Sequence, residues 1–354
     1  MKKDKYVAYV GTYTHGTSVG IHIYDIDEEK GAMVERKVVP INNPSHLTVS
    51  ANGQYLYSIA DEGVEAFKIL PDGDLQFLNQ KKIGGMRGCY VDVDGTNRYL
   101  FIAGYHDARV TMMHLDKDGS IGEIADGIFH ASVGRSVVIR SSRPHVNCVQ
   151  LTPGRNRYLC AVDGGLDHVK IYKLDYEEGK LILADVLRTQ LDSAPRILRF
   201  SADGKFAYLL CELRNCVDVY SYNFTYDGPK FEYIQTVRTM PDAKATSGSA
   251  SGMEFSQDGK YLYCSNAGAD TVIIFEVNQT TGELTEFCSS DISGDYPKTI
   301  GIFPDGRHFV SLNHDTNQMT VFVVDLEKKC YLMKGRPIEI DRPNCIYIHK
   351  VGKQ

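Results

Sequence analysis

Along this chain, short apolar runs alternate with polar turns at a regular interval. An apolar half-strand ends in an Asp-Gly-type turn, and a second strand, a polar gap and a third strand follow. The phrase reads FSADGKFAYLLCELRNCVDVYSY at 200–222, FSQDGKYLYCSNAGADTVIIFEV at 255–277 and IFPDGRHFVSLNHDTNQMTVFVV at 302–324. Within each run, Val, Ile, Tyr and Phe alternate with polar residues at the period of half-buried strands. Asp-Gly favours a tight hairpin with positive φ. No amphipathic helix of any length stands out.

The turn glycines are Gly53, Gly95, Gly154, Gly204, Gly259 and Gly306, spaced 42 to 59 residues apart. That interval suits four short antiparallel strands per unit, the size of a propeller blade. The C-terminal segment PNCIYIHKVG (343–352) matches the first strand of the repeat, as in PRILRFSADG (195–204). The N-terminal segment KYVAYVGTYTHGTSVGIHIYDI (5–26) matches the second and third. The expected fold is therefore all-β: a single domain over 1–354, a seven-bladed β-propeller of four-stranded antiparallel blades. Pairing of the N- and C-terminal strands would close the ring and remove exposed sheet edges. The chain has no tryptophan, which excludes a WD-repeat propeller.

The net charge of −6 and the absence of any long Lys/Arg run argue against a nucleic-acid or anionic-membrane partner. No export signal or apolar stretch of membrane-spanning length appears, so a cytoplasmic protein is expected, a monomer or weak homo-oligomer. The nine cysteines are odd in number, form no C-x-x-C and sit mostly in apolar runs. They read as small buried hydrophobes in a reducing compartment, with a catalytic thiol at Cys211 as the minor alternative. No metal-ligand spacing, phosphate-cradling loop or dinucleotide fingerprint occurs, so neither metal nor cofactor is expected.

Stacking the repeats on their turn glycines gives columns. Eight residues before the turn stand Ser45, Arg87, Val146, Arg196, Ser251, Lys298 and Asn344. Nine before stand Pro44, Met86, His145, Pro195, Ala250, Pro297 and Pro343. The prolines suggest a rigid entry into each inner strand. Arg87, Arg196 and Lys298 would converge on one mouth of the central channel, an anion-binding arrangement. A second column, at the end of the next strand, contains Thr12, Asp61, Tyr105, Gly164, Glu212, Ala267 and His314, with Tyr13, His106 and Asp163 beside it. Any one of these polar residues alone reads as a solvated loop cap.

His145, Glu212 and Arg196 together suggest chemistry. Water attacking an ester or lactone carbonyl needs a base, and either Glu212 or His145 could supply it. The developing oxyanion, or a substrate carboxylate or phosphate, needs a cation such as Arg196. Arg87, Lys298, Tyr105, His106, Asp163, His314 and Tyr13 are the expected substrate-binding set. No G-x-S-x-G nucleophile elbow is present.

At these residues the chain resembles the seven-bladed propeller lactonases, which include 6-phosphogluconolactonases and a carboxymuconate cyclase. The likeness is carried by YVGTYT (9–14), GIHIYDID (20–27), NPSHLTVSANGQYLYSI (43–59), RPHVNCVQLTPGRNRYLCAVDGGLDHVKIY (143–172), APRILRFSADGKFAYLLCEL (194–213) and DGKYLYCSNAGADTVIIF (258–275). The resemblance implies a small-molecule lactone substrate and active-site roles for His145, Arg196 and Glu212. A fourth family residue, an arginine, is Ala267 here. Asn147, Ile197, Cys211, Ala269 and Lys298 also depart from the family pattern. The expected function is lactone hydrolysis on a sugar-derived or other small carboxylate- or phosphate-bearing lactone. The alternatives are a non-catalytic ligand- or protein-binding propeller, or a lactone-forming cyclase.

Overall fold

The computed structural model describes residues 4–132, 143–154, 157–246 and 248–353. The expected strands form seven antiparallel sheets, each following the chain outward from an inner strand. Blade one is assembled from both ends of the chain: Pro343–Lys353 pairs with Asp4–Thr12, and Gly20–Asp27 and Ala32–Pro40 follow. The register sets Tyr9 opposite Tyr347 and Ala8 opposite Ile348. Blade two comprises Leu47–Val49, Tyr55–Ala60, Gly63–Ile69 and Leu75–Lys81. Blade three comprises Tyr90–Val93, Tyr99–Ala103, Arg109–Leu115 and Ile121–Phe129. Blade four comprises Val146–Leu151, Tyr158–Asp163, His168–Asp175 and Lys180–Arg188. Blade five comprises Pro195–Phe200, Phe206–Cys211, Cys216–Thr225 and Gly228–Arg238. Blade six comprises Ser249–Phe255, Tyr261–Ala267, Thr271–Val277 and Leu284–Asp291. Blade seven comprises Pro297–Ile302, His308–Asn313, Gln318–Asp325 and Cys330–Met333. Its outer edge breaks at Gly335–Pro337 and resumes as Ile338–Glu339. These sheets are the blades of a seven-bladed β-propeller.

The chain divides into two compact units. One takes residues up to His46, Ile69–Leu75 and everything from Val237 onward; the other takes Leu47–Lys68 and Gln76–Thr236. In each unit the core lies between neighbouring blades. Phe101, Val110, Val149, Leu159 and Tyr172 form one such layer between blades three and four. Cys148, Cys160, Leu198, Leu209 and Cys211 form the next, between blades four and five. Large aromatics contribute to these layers, and Tyr9, Tyr57, Tyr208 and Tyr263 are almost wholly buried. Burying a large apolar side chain contributes about 1.5–3 kcal/mol. The buried hydroxyls still need partners, and Tyr9 Oη donates to the Gly73 carbonyl at 2.9 Å. Among the described residues, no helix is long and apolar enough to cross a membrane.

The turns correct the columns at two blades. At Gly204 φ is +71°, and the Gly204 N–H donates to the Ser201 carbonyl at 2.9 Å. In blade three the same bond runs from Asn97, at φ +54°, to the Asp94 carbonyl, also 2.9 Å. Asn97 takes the left-handed position expected of Gly95, because asparagine tolerates that conformation. Counting from Gly95 therefore shifts blade three by two residues. Cys89, not Arg87, is equivalent to Arg196. In blade four the turn is one residue longer: Thr152 N–H bonds Tyr158 O, whereas Ser201 N–H bonds Phe206 O. Asn147, not Val146, falls in that column.

Candidate active site

The corrected column is Ser45, Cys89, Asn147, Arg196, Ser251, Lys298 and Asn344. At several of these positions the strand bulges: the register slips between Pro195 and Ile197, Val146 and Cys148, Ala250 and Gly252, and Pro297 and Thr299. A bulge frees one residue from the ladder and re-aims its side chain. Most of these side chains clasp the next blade. Cys89 Sγ donates to Val146 O at 3.3 Å, Asn147 Nδ2 to Pro195 O at 3.0 Å and Ser251 Oγ to Pro297 O at 2.7 Å. Asn344 Nδ2 donates likewise to Ser45 O. Arg196 and Lys298 put a long cation where the other blades use a short donor.

Arg196 Nη1 lies 2.9 Å from Glu212 Oε2. Glu212 follows the strand Phe206–Cys211, and its N–H donates to Ala194 O at 3.0 Å. Its side chain is 10% exposed and that of Arg196 24%. The carboxylate thus meets its cation in a partly dry setting, where charge-assisted bonds are stronger than in water.

His145 lies just ahead of the inner strand of blade four and is buried. Its Nδ1 is 2.8 Å from the Tyr105 carbonyl oxygen, and its ring stacks on the Tyr105 ring at 4.2 Å. A carbonyl only accepts, so Nδ1 carries a proton, and in the neutral ring Nε2 has the lone pair. His106 is exposed and meets Tyr105 edge-on at 5.4 Å. Asn147, two residues after His145, bonds the carbonyl of Pro195, the neighbour of Arg196. The His145 and Arg196 segments are therefore tied together directly.

Asp163, expected to bind substrate, is a correction: its side chain is wholly buried. Oδ1 accepts the N–H groups of His145 (2.9 Å), Gly165 (3.0 Å) and Leu166 (3.0 Å). Oδ2 takes His130 Nδ1 at 2.6 Å. Burial alone would raise this carboxyl's pKa, but the bond and charge of His130 and the His145 N–H outweigh it and hold it below the ordinary range. Asp163 positions the His145 backbone instead of facing a substrate. Asp167, four residues on, does the same for the next blade: its carboxylate accepts from Ala194 N at 2.9 Å and Asp192 N at 2.9 Å, just ahead of Pro195 and Arg196. The sequence reading missed His130, and it missed Asp167; the D-G-G-L-D spacing was the available signal for the latter.

Arg87 pairs with Asp61 at 3.1 Å, and so belongs with an acidic partner on blade two. Cys211, the minor candidate nucleophile, is fully buried, and its bond with Cys216 and its burial push the thiol pKa well up. Such a thiol stays protonated and unreactive.

The other unit carries its own polar group. Tyr13 and His314 meet edge-on at 5.6 Å, and His314 Nδ1 is 3.3 Å from Pro343 O. Lys298 Nζ lies 5.7 Å from the centre of the Tyr296 ring, a cation–π contact. Burial, and then the Lys298 charge, lower the His314 pKa, leaving a neutral imidazole. Ala267, where the family pattern has an arginine, is buried at the end of Tyr261–Ala267.

Comparison with known proteins identifies the family. A family model described as "Lactonase, 7-bladed beta-propeller" matches residues 7–348. A 6-phosphogluconolactonase of Bacillus subtilis is 32% identical over 98% of this chain and 99% of its own. A solved protein from Bacteroides fragilis superposes with a TM-score of 0.88 at 30% identity, covering 98% of both chains. The periplasmic gluconolactonase of Pseudomonas aeruginosa superposes with a TM-score of 0.90 at 27% identity, covering 98% of this chain and 99% of that one. The chain belongs to the seven-bladed β-propeller lactonase family.

Proposed function

We propose that the chain opens a sugar-derived lactone beside His145, Arg196 and Glu212. The observation that carries this is the 2.8 Å contact of His145 Nδ1 with the Tyr105 carbonyl oxygen, which leaves Nε2 of the neutral ring as the base. Nε2 takes a proton from water as the water oxygen bonds the lactone carbonyl carbon. The carbonyl oxygen becomes an oxyanion, which the Arg196 guanidinium stabilises while Glu212 fixes that guanidinium in place. The ring C–O bond then breaks, and the leaving alkoxide takes the proton from Nε2. The product is the open hydroxy acid.

Ala267 removes a positive charge that the family pattern carries, which supports a less anionic substrate than a sugar-phosphate lactone. The nine cysteines, all free thiols, support a cytoplasmic setting. The test is a pH-stat assay with δ-gluconolactone and its 6-phosphate, subtracting spontaneous opening, with Glu212→Gln as control. Catalysis of the unphosphorylated lactone, reduced roughly 100-fold or more in Glu212→Gln, is the expected result. No acceleration of either lactone by the wild-type protein would favour the binding-only reading that Ala267 also permits.

A further inference from the structure

We propose that His130, Asp163 and His168 form a binding site for one divalent transition-metal ion of the zinc class. The three come from separate stretches of blades three and four. His130 follows the strand Ile121–Phe129, Asp163 ends the strand Tyr158–Asp163, and His168 opens the strand His168–Asp175. Asp163 and His168 are direct cross-strand partners. One ligand atom from each residue lies within 4.8 Å of the others. A tetrahedral ion with bonds of about 2.1 Å needs donors roughly 3.4 Å apart, so modest rotamer adjustment closes the site.

An independent observation points the same way. His168 Nε2 is buried and has no hydrogen-bond partner. A buried polar atom left without a partner is costly, and native structures rarely retain one. An ion between His168 and Asp163 would satisfy it. The donor types also suit such an ion. Two imidazoles and one carboxylate form a borderline-soft donor set that favours zinc, cobalt(II) or nickel(II) over calcium or magnesium. His130 now donates from Nδ1 to Asp163 and is 3.0 Å from the Tyr172 hydroxyl at Nε2. On metal entry at Nδ1, that proton transfers to Nε2, where the Tyr172 oxygen can accept it. No proton is then released to solvent.

The experiment uses the full chain after chelator treatment. Cobalt(II) is titrated in and followed by its visible d–d absorption, and zinc is counted by elemental analysis after gel filtration. We expect about one ion per chain and a rise in thermal midpoint with zinc. His168→Leu is expected to lose at least tenfold in affinity. It should keep or raise the metal-free midpoint, because the unpartnered nitrogen is gone. Less than a tenth of an equivalent bound by the wild-type chain would overturn the proposal. So would binding by His168→Leu equal to that of the wild type. The readout is binding alone, so it stands or falls separately from the lactonase reading.

Discussion

The Asp163 carboxylate holds the backbone N–H of His145 at 2.9 Å, so a residue that cannot reach solvent determines where the proposed base stands. The same carboxylate holds the tight turn at Gly165 and Leu166. A Cβ at Gly165 would fall 1.6 Å from the Arg143 carbonyl, so that turn tolerates only glycine there. The structure places His145 through the backbone and sets its tautomer through Tyr105.

Asp163→Asn should therefore affect both stability and rate. An amide oxygen can keep some of the N–H bonds, but it loses the charge that His130 and the turn amides share. Hydrogen bonds to a buried charge contribute about 1.5–3 kcal/mol, so urea unfolding should show a loss on the order of 3 kcal/mol. If folded protein is recovered, kcat should fall more than KM rises, since the base is misplaced while substrate contacts remain. A variant with unchanged stability and unchanged kcat would remove the positioning role.

Asp92 gives a pH prediction. Burial pushes its carboxyl up to about 6, against the Val93 and Leu151 N–H groups and the Arg199 charge, which pull it down. Unfolded, the group titrates near 3.9. Between those values the folded state binds more protons than the unfolded state, so stability from this group falls as pH rises from about 4 to about 6. Asp92→Asn should then be more stable than the wild type at pH 7, with the gain vanishing near pH 4. Unfolding midpoints across that range check it. A gain that grows toward acid would contradict the assigned shift.

The inter-blade clasps predict a local cost. Ser251→Ala removes the 2.7 Å bond to the Pro297 carbonyl, along with a contact to Ser265. Leaving the buried carbonyl unpaired should destabilise by about 1–3 kcal/mol. Denaturant unfolding with an unchanged m-value would place the effect in the native state. A change within error of zero would show that the clasp contributes nothing.

Much of this architecture could be read from the sequence. Period-2 runs and Asp-Gly turns report directly on strands and hairpins, and the split repeat at the termini pointed to blade one. Columns were legible only as far as turn lengths are equal. Asn97 in place of a glycine displaced one blade's count by two, and the longer turn after Thr152 displaced another by one. Arg196 and Glu212 could be matched to motifs, and the structure pairs them. The inward aim of Asp163 could not be read, because its partner His130 lies 33 residues away and nothing local marks the contact. Nor does the sequence show that a bulge turns most of the Arg196 column into clasps between blades.

The most direct test is the rate of δ-gluconolactone opening by His145→Gln, measured against the spontaneous reaction. General-base catalysis contributes typically 10²–10⁴-fold. We expect kcat to fall by about that range, with the thermal midpoint little changed, because the backbone bond to Asp163 survives. A His145→Gln enzyme as fast as the wild type would contradict the assignment of the base.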